Sequence, residues 1–121
     1  MVDIDGNVTY WDRGAETLFG HPASDVLGRP VDVIVPPAYR DAHWAGFHHA
    51  IATGRSKLHG LATNLPTLHA DGSERVLPAG FVFLTEPRGV AVGAMAIYAE
   101  AAGGEEPWTD TLPRPGAAGA W

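Results

Sequence analysis

The chain has 121 residues, 45% of them apolar and 18% charged, which fits one globular domain and excludes a two-domain protein or a chain disordered throughout. Its formal net charge is −6 and its 8 basic residues are scattered, so direct nucleic-acid binding is not expected. Cysteine is absent, which removes disulfides, thiolate ligands and covalent cysteine adducts, and no apolar run approaches the ~18 residues that a membrane span needs.

Val2, Ile4, Val8 and Tyr10 alternate around Asp5-Gly6-Asn7, which predicts two short strands joined by a tight turn. Asp12 is placed to cap a short helix through Phe19, with Ala15, Leu18 and Phe19 inward and Gly20 as its stop. A further helical turn follows over Ala23 to Leu27, with Ser24 as candidate cap and Gly28 at its end. Pro30 to Val35 is a short apolar piece, which Pro36-Pro37 breaks. The most regular pattern runs from Pro37 to Thr53, where Tyr39, His43, Phe47 and Ile51 recur every four residues and predict one helix face, with Trp44 and His48 turned outward and Gly54 as terminator. Leu58 to His69, Val76 to Thr85 and Val90 to Ala99 read as three strands joined by the Ala70-Asp71-Gly72-Ser73 and Pro87-Arg88-Gly89 turns. Phe81 and Phe83 share a face of the second, and the small residues of the third permit close packing of something bulky. Residues 1–100 are therefore assigned to one domain and 101–121, rich in Gly, Pro and Ala, to a flexible tail. The amino terminus has no basic start and apolar stretch, and a cytoplasmic location is expected.

The segment Asp5-Gly6-Asn7-Val8-Thr9-Tyr10-Trp11, followed by Ala15-Glu16-Thr17-Leu18-Phe19-Gly20, resembles the D-G-x-I-x-x-x-N-x-A-A-E-x-L-F-G signature of PAS domains, with Asp12 where asparagine is usual. Val26-Leu27-Gly28-Arg29 and Asp71-Gly72 fall where that family has them, so the resemblance runs from about Val2 to about Tyr98. It implies an α+β PAS fold: a five-stranded antiparallel sheet in order 2-1-5-4-3, short helices and one long helix on one face, and a pocket between them. It also implies a sensor rather than an enzyme. The closing Asp-x-Thr of the family is Ala99-Glu100-Ala101 here, from which action without an attached effector module, through a separate, unidentified effector protein, is expected, with a homodimer allowed.

His43, in Arg40-Asp41-Ala42-His43, sits where the haem-binding PAS domains of oxygen-sensing histidine kinases carry their proximal ligand. A neutral imidazole is a good axial ligand for iron, so the resemblance implies haem b on His43, walled by Phe47, Ile51, Leu58, Leu61, Phe81 and Phe83, for gas or redox sensing. Thr63 stands where those relatives place the arginine that contacts bound oxygen, and His49 where they place one near the propionates; Thr63 offers a hydroxyl, and His49, Lys57 or His59 a propionate partner. Without cysteine a covalent flavin is excluded, and only a flavin or other planar ligand held without a bond is allowed. His48 and His49 diverge by ~100° on a helix and do not share a ligand face with His43, so a histidine metal cluster is not expected. No nucleophile with a base, paired carboxylates or phosphate-cradling loop is present. The rival expectation is a ligand-free interaction or dimerisation module whose interior is filled by Phe47, Phe81, Phe83 and Met95. Trp108 and Trp121 lie in the tail, where an apolar side chain marks a docking segment or packs back on the domain.

Overall fold

Local chemistry sets the first helix. In the computed structural model, which describes residues 1–103, Asp12 accepts a hydrogen bond from the Ala15 amide at 2.8 Å and so caps α1, Arg13–Phe19. Gly20, at φ +78°, closes it with a 2.9 Å bond to the Glu16 carbonyl. The next helix, α2, Ala23–Val26, starts directly after Pro22; Ser24 lies inside it and is not its cap. Its first amide is held instead by Glu16 Oε2 at 2.7 Å. Two 3₁₀ turns, Val31–Ile34 and Pro37–Tyr39, lead into α3, Arg40–Thr53, which ends at Gly54 in the left-handed conformation.

The buried face of α3 is Ala42, His43, Gly46, Phe47 and Ala50, a band one residue wider than the four-residue step predicts. Tyr39 and Ile51 flank it half-buried, and His48 faces solvent. Trp44 is not turned outward: its indole lies half-buried against the Gly6 turn, and its Nε1 donates to Asp32 Oδ2 at 3.1 Å.

The sheet is an antiparallel meander of β1, Ala62–Leu68, β2, Glu74–Thr85, and β3, Ala91–Tyr98, in order β1-β2-β3. Alternation along β2 buries Leu77, Ala79, Phe81 and Phe83. Phe81 pairs with Ala96, Phe83 with Ala94 and Ala79 with Tyr98, so these β3 residues face the same interior. The expected first strand of the meander is shorter than predicted. Residues 58–61 form a turn in which Ser56 Oγ accepts from the Leu58 amide at 3.2 Å and Gly60 takes φ +75°.

Of the five strands expected, three are present as strands among the described residues. The amino-terminal pair is reduced to isolated bridges, Val2 with Val8 and with Ala94, and Asn7 with Pro30. The backbone around Val8 is taken up by the segment after α2: the Val8 amide donates to the Arg29 carbonyl, and the Gly28 amide donates to the Val8 carbonyl. The hairpin itself is kept in short form, the Asp3 amide donating to the Asn7 carbonyl and the Thr9 amide to the Met1 carbonyl, and Val2 lies beside β3, as the expected order requires. The tail from residue 104 onward, with Trp108 and Trp121, lies outside the described residues.

The apolar interior is divided. One cluster joins Ala50, Leu58, Phe81, Phe83, Ala91 and Ala94, with Ile51 packed against it. The other joins Phe19, Ile34 and Leu77, with Trp11, Leu18 and Tyr98 around them.

Candidate functional site

Between the two clusters lies a cavity of about 640 Å³. Its α3 wall is His43 and Phe47, one helical turn apart; its sheet wall is Leu65, Phe81, Ala94, Ala96 and Tyr98. Phe19, Ile34 and Val8 close it from the amino-terminal side, and Asp12, Arg13 and Glu100 stand with Tyr10 where it opens. The cavity follows from side-chain size. The inward positions of β3 carry Ala94 and Ala96 opposite the phenylalanines of β2, and these small side chains leave space in front of the sheet.

His43 is 7% exposed. Burial pushes its pKa down to about 4, with Asp32 opposing the shift and His48 adding to it, so the imidazole is neutral at physiological pH. Its ring stacks on Phe47 with centroids 6.2 Å apart at 11°, and meets Trp44 edge-on at 4.8 Å and 78°. These contacts, with Trp44 fastened to Asp32, hold the imidazole in the wall.

Of the residues that the sequence singles out, the structure brings His43, Phe47 and Phe81 together in the cavity wall. Ile51, Leu58 and Phe83 lie outside it. The small side chain of Ala50 lets the carboxy-terminal half of α3 pack close to the sheet, and these three fill the contact there. Leu61 is 41% exposed, turned out by the 58–61 turn. Thr63 is half-buried on β1 outside the cavity wall, and its Oγ1 is buried without a hydrogen-bond partner among the described residues. His49 and Lys57 face solvent, and His59 Nδ1 accepts from the Phe83 amide at 2.9 Å; none of the three lines the cavity, whose cationic side chain is Arg13. Among the described residues no group of three or more His, Asp or Glu side chains is placed to hold a metal ion, and no helix is long and apolar enough to cross a membrane.

Sequence reasoning missed Tyr98, Phe19 and Ile34 as wall residues. The alternation Ala94, Ala96, Tyr98 carried the signal for Tyr98; nothing local marks which part of an inward face stays open.

A small α+β domain with an apolar cavity enclosed by a helix layer and an antiparallel sheet is a ligand-pocket architecture. A family model described as the PAS fold matches residues 1–95. An uncharacterised protein of Azorhizobium caulinodans ORS 571 is 36% identical over 80 residues, 65% of this chain and 11% of that one. The oxygen sensor protein DosP of Escherichia coli K12 is 26% identical over 74 residues, 61% of this chain and 9% of DosP, so the chain spans only a small part of either relative. The crystal structure of the PAS domain of a Colwellia psychrerythraea protein superposes with a TM-score of 0.66 at 23% identity, covering 82% of this chain and 80% of that one. The chain belongs to the PAS family of sensor domains.

Proposed function

We propose that this chain is a sensory PAS domain that takes a small apolar or planar ligand into the cavity between α3 and the sheet, and that this ligand is haem b with His43 as axial ligand. The observation that carries the reading is a buried, neutral imidazole in the wall of an apolar cavity of about 640 Å³, within the ~300–1,000 Å³ range of small-molecule sites.

The residues fit the group. A histidine with a pKa of about 4 is in the neutral form that ligates iron at neutral pH, and Phe47 stacked on it fixes the ring plane. Ile34, Leu65 and Phe81 exclude water, Ala94 and Ala96 leave room for a flat body, and Arg13 at the opening supplies a cation for a propionate. Haem supplies an iron that binds a gas or changes oxidation state. The likeness to DosP, named as an oxygen sensor, supports a gas as the signal. Thr63 lies outside the wall and takes no part in contacting it. Occupancy acts by shifting the domain's conformational population, which a separate effector protein or a second copy reads.

The test is reconstitution with haem and a visible spectrum. A Soret band that His43→Ala abolishes or strongly weakens is the expected result; an unchanged band in the variant removes His43 as ligand. If no band forms at any haem concentration, the domain is instead the ligand-free interaction module.

A further inference from the structure

The cavity leaves one face of the sheet without a role. The alternation that buries Leu77, Ala79, Phe81 and Phe83 turns Val76, Pro78, Val82 and Leu84 of β2 to the opposite side. The register adds Pro66 of β1 opposite Val76, and Ile97 and Met95 of β3 opposite Gly80 and Val82. Met95 and Ile97 also border the cavity, but their side chains leave the sheet on the side of Val82, and Ile97 is 63% exposed.

An antiparallel sheet with one face on a core and the other in water ordinarily alternates apolar-in with polar-out. Here, from Val76 to Leu84, the outward positions of β2 and their partners on both neighbouring strands carry no charged side chain, and Asn64 is the one polar residue among them. The helices α1 and α3 pack on the other face, with Leu77 and with Phe81 and Phe83. A contiguous apolar surface of this kind marks a docking site.

Reach decides what covers it. The chain is held to the sheet as far as Ala99, whose amide donates to the Pro78 carbonyl at 2.9 Å. Trp108 follows nine residues later and is the first side chain after Tyr98 that is both apolar and larger than alanine. Nine residues span up to about 30 Å, against about 25 Å for the outward stretch of β2 from Val76 to Leu84, so the indole reaches the whole face. A tether this short keeps it at an effective concentration on the order of millimolar, which a second copy matches only in concentrated solution. Pro107, directly before it, reduces the backbone freedom that docking would remove.

We propose that the segment 104–112 folds back across the outer face of the sheet and seats the Trp108 indole on Val82, Met95 and Ile97. This contact stands whether or not the cavity holds a ligand.

The experiment labels the methionine methyls of the 121-residue chain, which gives two signals, Met1 and Met95. The Met95 signal is expected upfield, under the ring current of the indole, and at the same position at every dilution. Trp108→Ala should return it downfield and leave Met1 in place, while Trp121→Ala changes neither. A Met95 shift that is lost on dilution gives the face to a second copy and overturns the proposal. A Met95 signal that Trp108→Ala leaves in place overturns it as well, and frees the face for another partner; so does a shift that follows Trp121 instead. Fluorotryptophan labelling reads the contact from the other side. Ile97→Lys should move the Trp108 fluorine signal to the position it takes in urea and leave those of Trp11 and Trp44 where they are, which shows that the domain is still folded. A Trp108 signal that already sits at the urea position in the wild type overturns the proposal without any variant.

Discussion

The indole of Trp44 occupies the space in which a Cβ on Gly6 would stand. Gly6 is at φ +80°, in the turn that joins Val2 to Val8, so the amino-terminal segment and α3 meet through a backbone with no side chain. Trp44 in turn braces His43 and is fastened to Asp32. Gly6→Ala is therefore expected to destabilise the domain by roughly 2 to 4 kcal/mol, from positive-φ strain plus displacement of a packed ring. Chemical denaturation checks it; a midpoint within error of wild type would show that Trp44 has another place to go.

His43 gives the fold an acid dependence. Unfolded, its imidazole takes up a proton near 6.5; folded, burial holds it near about 4. Between those values the unfolded chain carries the proton and the folded one does not. Stability is therefore complete above about pH 6.5, falls as pH drops toward 4, and loses roughly 3 kcal/mol across the window. Asp71, which hydrogen bonds from Ser73 hold down to about 2, contributes only below that range. Urea midpoints for wild type and His43→Leu at a series of pH values should show a slope between pH 4 and 6.5 that the variant lacks.

Phe47 is buried, lines the cavity and stacks on His43. Phe47→Ala should cost about 3 to 5 kcal/mol, a large fraction of a typical domain stability of ~5–15 kcal/mol. Thermal unfolding followed by circular dichroism measures it. A loss below ~1 kcal/mol would mean that the walls collapse into the added space.

The Asp12 cap offers a milder test. Asp12→Ala removes the acceptor for the Ala15 amide and should cost about 1 kcal/mol, while Asp12→Asn should restore most of it. Equal losses in both variants would point to charge rather than capping.

What the sequence discloses depends on how local the cause is. The Asp12–Gly20 helix, the Gly54 terminator and the alternation of Phe81 and Phe83 were readable because each is set by residues within a turn or a pleat of one another. The amino-terminal hairpin is there in short form, with Val2 bridged to Val8 across the Gly6 turn; that Val2 also bonds to Ala94 and Val8 to Arg29 is set by partners that no local pattern names. Leu58 and Leu61 look alike in sequence; a serine cap and a positive-φ glycine bury one and expose the other. In the site, His43, Phe47 and Phe81 follow from the helix and strand periods. That Ile51, Leu58 and Phe83 fall in the closed half follows from the close approach at Ala50, which is a tertiary fact.

A hydrophobic interior divided in two makes the lifetime of the protein a reporter of its ligand. The Phe83 and Phe19 clusters touch the cavity from opposite sides, so a molecule seated there becomes the middle of a single core. Bound to the native state alone at a hundred times its dissociation constant, it would add about 2.7 kcal/mol and lower the unfolded population by about a hundredfold. Where cellular proteases take that population, scarcity of the ligand would show first as a fall in the amount of the domain and only afterwards as a change in what the remaining copies signal.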